Sequence, residues 1–146
     1  MSRRLAVDVG SVRVGLAISE GSLALPMESL AADEATVSRI LEIAEQKSVQ
    51  VVYVGLPLNL RGDHTPSTRK CIDFARKLSE SGLTVRMIDE RLTTKSAQQM
   101  LQKTGKKVKE SRGYIDAQAA ALILDFALQS ERSEYAGIAL DDLNER

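Results

Sequence analysis

The hydrophobic period of the chain changes near Asp33, and this change limits the possible folds more than any other feature. Before Asp33, apolar residues form three strand-like segments, which are Leu5 to Val9, Val14 to Ile18 and Leu23 to Leu30. Pro26 marks the third as an edge strand or a bulge. After Asp33, a candidate helix N-cap, apolar residues recur three and four positions apart, as in an amphipathic helix. Three antiparallel strands followed by a helix predict a sheet with helices on its faces.

The rest of the chain alternates between strand and helix patterns. Val49 to Leu56 is a nearly continuous apolar run, typical of a parallel strand that is covered on both faces. Thr65 and Pro66 then begin a helix that Gly82 ends. The later predicted elements are a strand from Thr84 to Ile88 and helices from Thr94 to Lys103 and from Tyr114 to Leu128. The pattern predicts an α/β fold with a mixed five-stranded sheet, three strands antiparallel and then two parallel, flanked by helices.

The length of the chain suits one domain. A chain of 146 residues buries enough apolar surface to fold without disulfides. We expect the domain to span residues 1–130. Residues 131–146 show no period and carry five acidic against two basic side chains, which predicts a mobile acidic tail. No apolar run reaches the roughly 20 residues of a membrane helix, so a cytoplasmic protein with no membrane contact is expected.

The charge and the rarest side chains exclude several kinds of site. The formal net charge is zero, so any binding of nucleic acid must be local rather than due to overall positive charge. Cys71 is the only cysteine and His64 the only histidine. This excludes an internal disulfide and a zinc site built from Cys and His ligands. A bound metal would need oxygen ligands, which favours Mg²⁺ or Mn²⁺.

Two aspartates interrupt apolar patterns where an unpaired carboxylate would be costly to bury. Asp8 lies in the first apolar strand. Asp116 lies on one side of the last predicted helix together with apolar residues, which are Ala119, Ala120, Ile123 and Ala127. Asp125 is off this side and should face water. Structural partners remain an alternative: the backbone of the Gly10 turn for Asp8, and the helix N-terminus for Asp116.

A third acidic position follows the strand that ends at Ile88. Asp89 and Glu90 lie at the carboxyl edge of the sheet, where open α/β sheets bind ligands. Strand alternation sends the two side chains to opposite sides, so only one is expected to join Asp8 and Asp116; a polar turn is the alternative. Carboxylates from such positions can hold two divalent ions roughly 3.5–4 Å apart, which would activate water against a phosphodiester. The sequence therefore predicts metal-dependent phosphodiester hydrolysis.

Basic side chains concentrate between the last two predicted helices. Five of them oppose only Glu110, and they are Lys103, Lys106, Lys107, Lys109 and Arg112. This segment is a candidate contact for a phosphate backbone, although charge runs are commonly only solvated, and the absence of interleaved aromatic residues disfavours sequence-specific binding. Other candidate substrate contacts lie in turns and loops at the same sheet edge: Arg13, Asn59, Arg61 and Arg91. The loop that carries Asn59 and Arg61 could equally be a simple connection.

Four segments together resemble the YqgF, or RuvX, family in order and spacing. They are Asp8–Ala17, Val54–Pro57, Asp89–Thr94 and Asp116–Ala120, and the match spans nearly the whole chain. The resemblance implies an RNase H-like fold similar to that of the Holliday-junction resolvase RuvC, and a nuclease that matures the 5′ end of pre-16S rRNA. It also implies a catalytic and metal-binding set of Asp8, Glu90 and Asp116. RuvC-like sites have a further acid where this chain has Asn59.

Other functional classes remain open. A binding or scaffold protein could keep an RNase H-like fold without activity. Actin-like ATPases and sugar kinases begin with a similar Asp-Val-Gly hairpin, but they need two such domains around a nucleotide. Among nucleases, cleavage of pre-16S rRNA, free or in a pre-ribosome, competes with cleavage of branched DNA. The second activity favours a homodimer over a monomer, because a four-way junction has two-fold symmetry.

Overall fold

The described residues form one mixed sheet with helices packed on both faces. The computed structural model describes residues 3–93, 112–132 and 137–143. The elements in chain order are β1 Arg3–Val9, β2 Arg13–Glu20, β3 Leu23–Ala31, α1 Thr36–Gln46, β4 Val49–Leu56, α2 Pro66–Glu80, β5 Thr84–Asp89, a 3₁₀ turn Glu90–Leu92, α3 Arg112–Arg132, β6 Ile138–Ala139 and a 3₁₀ turn Leu140–Asp142. The strand order is β3-β2-β1-β4-β5-β6. β1 pairs antiparallel with β2 and parallel with β4, so it lies at the centre of the sheet.

The predicted mixed sheet is confirmed, with one strand more than the five expected. The sixth, β6, pairs antiparallel with β5 through Arg86 and Met87. It lies within the segment predicted to be a mobile tail, so part of that segment joins the sheet; mobility of the remainder stays a prediction. β3 is an edge strand, and its register shifts beside Pro26, as the proline predicts. The helix predicted from Thr94 to Lys103 lies outside the described residues.

The prediction of Asp33 as the N-cap of α1 is wrong. The helix begins at Thr36 and its N-cap is Ala35, which makes no capping hydrogen bond with its side chain. The Asp33 carboxylate accepts a hydrogen bond from the Ala35 backbone N–H at 2.8 Å, and the Thr36 hydroxyl donates to the Ala31 carbonyl. Asp33 therefore closes the turn that precedes the helix, a competing use of a short polar side chain.

Alternation along the strands separates two cores. Leu5 and Val7 of β1 face α1 and α2 within the larger apolar cluster, whereas Ala6 packs in the smaller cluster with α3. Asp8 therefore lies on the α3 side, because residues two apart on a strand share a face. Small side chains are frequent in that second core, among them Ala6, Ala17, Ala120 and Ala127. They allow α3 to approach the sheet closely.

Both ends of α3 are fixed to the sheet. Near its first turns, the backbone carbonyl of Asp116 lies so close to Gly15 that a Cβ atom on Gly15 would be 2.1 Å from the oxygen. At its other end, the Glu131 carboxylate accepts hydrogen bonds from the Tyr53 hydroxyl and from Arg4 Nε.

Among the described residues, no helix is both long and apolar enough to span a membrane.

The connection from β4 to α2 is held by the threonines that begin the helix. Thr65 is the N-cap, and its side chain and that of Thr68 form reciprocal capping hydrogen bonds. The buried Thr68 hydroxyl also donates to the Pro57 carbonyl. Gly82, with a φ of +101°, follows the end of the helix as predicted. These contacts fix the start of α2 beside the carboxyl end of β4.

Candidate active site

Asp8 and Glu90 are in contact at the carboxyl edge of the sheet. Asp8 is opposite Gly15 in the β1–β2 pair, and Glu90 begins the turn after β5. Their carboxyl groups share a hydrogen bond, which lowers the pKa of Asp8 and raises that of Glu90. Such a bond needs a proton, so the two carboxyl groups hold one proton between them.

Burial raises the pKa of both carboxyl groups. For Glu90, burial is the largest cause and the negative charge of Asp8 the next, and together they raise its pKa to about 7. The pKa of Asp8 is also raised, first by burial and less by the charge of Asp116, and this outweighs the opposing effect of the hydrogen bond. The pair therefore holds less negative charge near neutral pH than two exposed carboxylates would.

Asp116 approaches this pair from helix α3. Its charge acts on Asp8, and its backbone is in contact with Gly15, the residue that pairs with Asp8. The predicted set of Asp8, Glu90 and Asp116 therefore comes together as one electrostatic unit. It is not a closed metal site, since no group of three acidic, His or Cys side chains in the described part of the chain is placed to hold a metal ion.

Asp89 has a different partner, which separates it from Glu90. Its carboxylate accepts two hydrogen bonds from Arg91 Nε, at 3.1 and 3.0 Å, and one from Arg91 Nη2 at 2.6 Å. It also accepts from the Arg91 backbone N–H. The guanidinium lies against Gly62, whose φ is +84° and whose hypothetical Cβ would be 3.1 Å from Nη1. Of the two acids at the end of β5 and the start of the following turn, Glu90 is the one beside Asp8.

The other predicted substrate contacts are spread around the same edge. Arg13 begins β2 and is exposed, as is Arg61. Asn59 shapes its own loop, because its side-chain oxygen accepts from the backbone N–H groups of Arg61 and Asp63 at 3.0 and 2.9 Å. Arg112 begins α3. Lys106, Lys107 and Lys109 lie outside the described residues, and so does Lys103.

Two glycines make room for the acidic residues and were not singled out by the sequence. A Cβ on Gly55 of β4 would lie 2.9 Å from Ile123 Cδ1 and 3.1 Å from Glu90 Cδ, so the bare backbone at Gly55 accommodates the Glu90 side chain. Gly15 of β2 likewise leaves room for the backbone of Asp116. Glycine inside a strand often marks a close approach of another group. Their positions in otherwise apolar strands were the available signal.

We expect the metal-free protein to lose stability as the pH rises through the ionisation of this pair. Folded Glu90 has a pKa of about 7 against an ordinary 4.5, so the folded state retains a proton that the unfolded state releases. Its stabilising effect is complete below about pH 4.5 and lost by about pH 7, a decrease on the order of 1–3 kcal/mol. Urea unfolding in EDTA across this range measures it.

Two variants control for the other carboxylates in that titration. Glu90→Gln should reduce the pH dependence, since the amide does not ionise and only Asp8 of the pair still does. Asp125→Asn should leave it unchanged, because Asp125 is exposed and its carboxylate accepts a hydrogen bond from the Gln129 side chain on the same helix. A rise in wild-type stability between about pH 5 and pH 7 would contradict the raised pKa of Glu90.

The strand order and the acidic edge define a protein of the RNase H-like class. A structure of Thermus thermophilus RuvC in complex with a Holliday junction substrate matches with a TM-score of 0.58 and 16% identity, covering 90% of this chain and 96% of that chain. The large terminase nuclease of the thermophilic phage G20c matches with a TM-score of 0.54 and 12% identity, covering 84% and 80%. At these identities the likeness establishes the fold.

The chain belongs to the RuvX family, as its motifs predicted. The family model, described as Holliday junction resolvase, matches residues 2–130. A relative from Leifsonia xyli subsp. xyli is 46% identical over 135 residues, which cover 89% of this chain and 87% of the relative. One from Clavibacter sepedonicus is 45% identical over 136 residues, covering 89% and 84%. Both relatives are named as candidate pre-16S rRNA nucleases.

Proposed function

We propose that this protein is a nuclease that hydrolyses phosphodiester bonds in the maturation of the 5′ end of pre-16S rRNA. The observation that carries the proposal is the contact between the Asp8 and Glu90 carboxyl groups beside Asp116. Holding like-charged acids together in a partly buried place opposes folding, and such arrangements are concentrated at functional sites. The names of the relatives supply the substrate.

The acidic residues suit Mg²⁺ or Mn²⁺, and we assign Asp8, Glu90 and Asp116 as the protein ligands. Hard divalent cations prefer carboxylate oxygens, and a cation could take the place of the proton that Asp8 and Glu90 share. Because the three acids do not form a closed site in the described structure, water or a small movement of Asp116 must complete the coordination. The bound ion would activate water and stabilise the leaving oxygen.

The side chains at this edge of the sheet are assigned the following roles. In the metal-free protein Asp8 and Glu90 share a proton, and a bound cation would displace it, so that both carboxylates act as ligands. Arg13 and Arg61 are exposed at the same edge, where their charges can contact phosphates on either side of the cleaved bond. We propose cytoplasmic action, in keeping with the rRNA substrate.

Cleavage of branched DNA is the second candidate, and the description of the family model favours it. A junction-cutting enzyme is expected to act as a homodimer, whereas trimming of rRNA requires only a monomer. The oligomeric state in solution, measured by light scattering, therefore bears on the choice between the substrates.

The test is a cleavage assay with purified protein on a pre-16S rRNA 5′ fragment and on a four-way DNA junction, in Mn²⁺ and in EDTA. We expect the RNA to be cut only with the metal. Glu90→Gln should reduce the rate by roughly 10²-fold or more, and Asp125→Asn should retain it. Cleavage of the junction alone would reassign the substrate. If neither the RNA nor the junction is cut and Mn²⁺ does not bind, the protein is a scaffold protein rather than a nuclease.

A further inference from the structure

A separate cleft opens on the other side of β1 from the acidic residues. Its volume is about 330 Å³. Three segments line it: the turn after β1 with Gly10 and Ser11, the loop before α1 with Asp33 and Glu34, and one face of α2 with Lys70, Phe74 and Lys77. This volume is near the lower end for small-molecule sites, which run from roughly 300 to 1,000 Å³. It suits a ligand about as large as one nucleotide.

The cleft adjoins the carboxyl pair. Val9, which lines it, is next to Asp8 in β1, and the two side chains point to opposite faces. Cys71 lies next to Lys70 in α2, and burial together with the charges of Glu90 and Asp8 raises the pKa of its thiol to about 12. The charge of Lys70 acts on the same thiol. The cleft and the acidic residues are therefore neighbours across the end of β1.

The α2 face of the cleft has the chemistry of a nucleotide site. Lys70, Phe74 and Lys77 lie four and three residues apart, so they share one side of the helix. Phe74 is half-buried against the core, and both lysines are exposed. An aromatic ring between cations is the combination that stacks an unpaired base and neutralises its phosphates. This pairing of ring and cation was not visible in the sequence, because it lies within a core helix pattern.

The opposite wall sets a limit on what the cleft can bind. The Asp33 carboxylate is turned to the backbone N–H of Ala35, and Glu34 is exposed. Two acids facing two lysines leave the lining without net charge. A run of phosphates would be repelled by this wall, whereas the amino and hydroxyl groups of a base and a sugar can donate hydrogen bonds to it. The balance favours one nucleotide with its base inserted.

We propose that the cleft binds one unpaired nucleotide of the substrate strand, with its base stacked on Phe74, next to the bond that is cleaved at Asp8 and Glu90. The inference rests on the proposed nuclease function and specifies its substrate as single-stranded at this position. A base within a duplex is stacked and paired, so it cannot enter without being extruded. Lys70 and Lys77 contact the phosphates that flank the inserted base.

Binding measured without cleavage tests the cleft separately from the nuclease activity. A fluorescent single-stranded RNA of about 12 nucleotides, a length near the site sizes of single-strand binders, is titrated with full-length protein in EDTA. Phe74→Leu should weaken binding about fivefold or more, the scale of losing one stacked base. Phe74→Tyr keeps the ring and should bind like the wild type. Phe126→Leu, at the chain's other phenylalanine, is the matched control.

The lysines are tested through salt dependence. Replacing Lys70 and Lys77 by Gln should reduce the slope of log affinity against log salt by about 1.4, since each phosphate contact with a single strand contributes about 0.7. Lys47→Gln is the control, because Lys47 is exposed at the end of α1 near the opposite edge of the sheet. Its slope should equal that of the wild type.

The outcomes separate this inference from the proposed function. If Phe74→Leu and the wild type bind RNA equally well, the cleft does not bind a nucleotide, whether or not the protein cuts RNA. Equal affinity for a duplex and a single strand would also overturn it. If the wild type cuts neither substrate yet its binding depends on Phe74 and the two lysines, the nuclease proposal fails and the nucleotide cleft stands.

Discussion

Asp8→Asn should reduce cleavage by roughly 10³-fold or more, the scale seen when one member of a cooperating catalytic set is removed, while the protein stays folded. Asp8 is central in the proposed set: it bonds to Glu90, and the charge of Asp116 acts on it. An amide cannot supply the negative charge that a divalent cation requires. Single-turnover assays in Mn²⁺ measure the rate, and calorimetry should show a parallel loss of Mn²⁺ affinity.

The same variant should unfold at a higher temperature than the wild type in EDTA. Burial and the charge of Asp116 raise the pKa of Asp8, so ionised Asp8 is less stable in the folded than in the unfolded state. A neutral amide of the same shape relieves that repulsion and can still form a hydrogen bond with Glu90. A lower melting temperature with loss of the fold would make Asp8 structural. Full activity of Asp8→Asn would show that Asp8 is not a catalytic residue.

The strands and their order could be predicted because the pattern of apolar residues along a strand shows which of its faces are buried. Val49 to Leu56 is apolar on both faces, and β4 is indeed covered by helices on both. The start of α1 could not be predicted as securely. Asp33 and Thr36 can each satisfy several backbone groups within one turn, and which of them does so depends on how the loop from β3 is held.

Strand β6 had no signal in the sequence. It has two residues, Ile138 and Ala139, which is too short for an alternating pattern. Its place beside Arg86 and Met87 depends on a contact between segments about fifty residues apart. Such pairing is set by the edge that β5 offers, because an open strand edge presents unpaired N–H and C=O groups to any nearby segment.

The acidic positions were predictable, but the choice between two of them was not. Asp8 and Asp116 stood out because a carboxylate on an apolar face is costly to bury without a partner. For Asp89 and Glu90, strand alternation says only that they diverge. The decision lies in side chains around them: Arg91 pairs with Asp89, and Gly55 leaves space for Glu90.

Gly15→Ala should impair the site without touching any acidic side chain. The added Cβ would be 2.1 Å from the Asp116 carbonyl oxygen, whereas ordinary contact begins at 3.4 Å. Neither atom can move freely, because Gly15 is held in the β1–β2 ladder and Asp116 belongs to helix α3. The start of α3 must therefore move away by about 1 Å, and Asp116 with it, since a close-packed interior passes such displacement on.

That displacement predicts two separable effects. Overpacking should lower the free energy of unfolding by about 1–3 kcal/mol, measured by urea unfolding. Cleavage should fall by roughly 10²-fold, because a shift of about 1 Å in a catalytic group has that effect. The contact between Asp8 and Glu90 is made by β1 and the turn after β5, so a loss of stability between about pH 4.5 and pH 7 should persist in the variant, but it should be smaller because moving α3 exposes the pair.

Gly82→Ala is the matched control. Its Cβ would meet nothing within 4 Å, but a φ of +101° strains any side chain there, so the variant is destabilised at a place remote from the acidic residues. If both variants lose stability and only Gly15→Ala loses cleavage, the loss follows from the position of Asp116. Equal cleavage by the two variants would show that the activity does not depend on where α3 holds Asp116, and Asp116 would then leave the proposed ligand set.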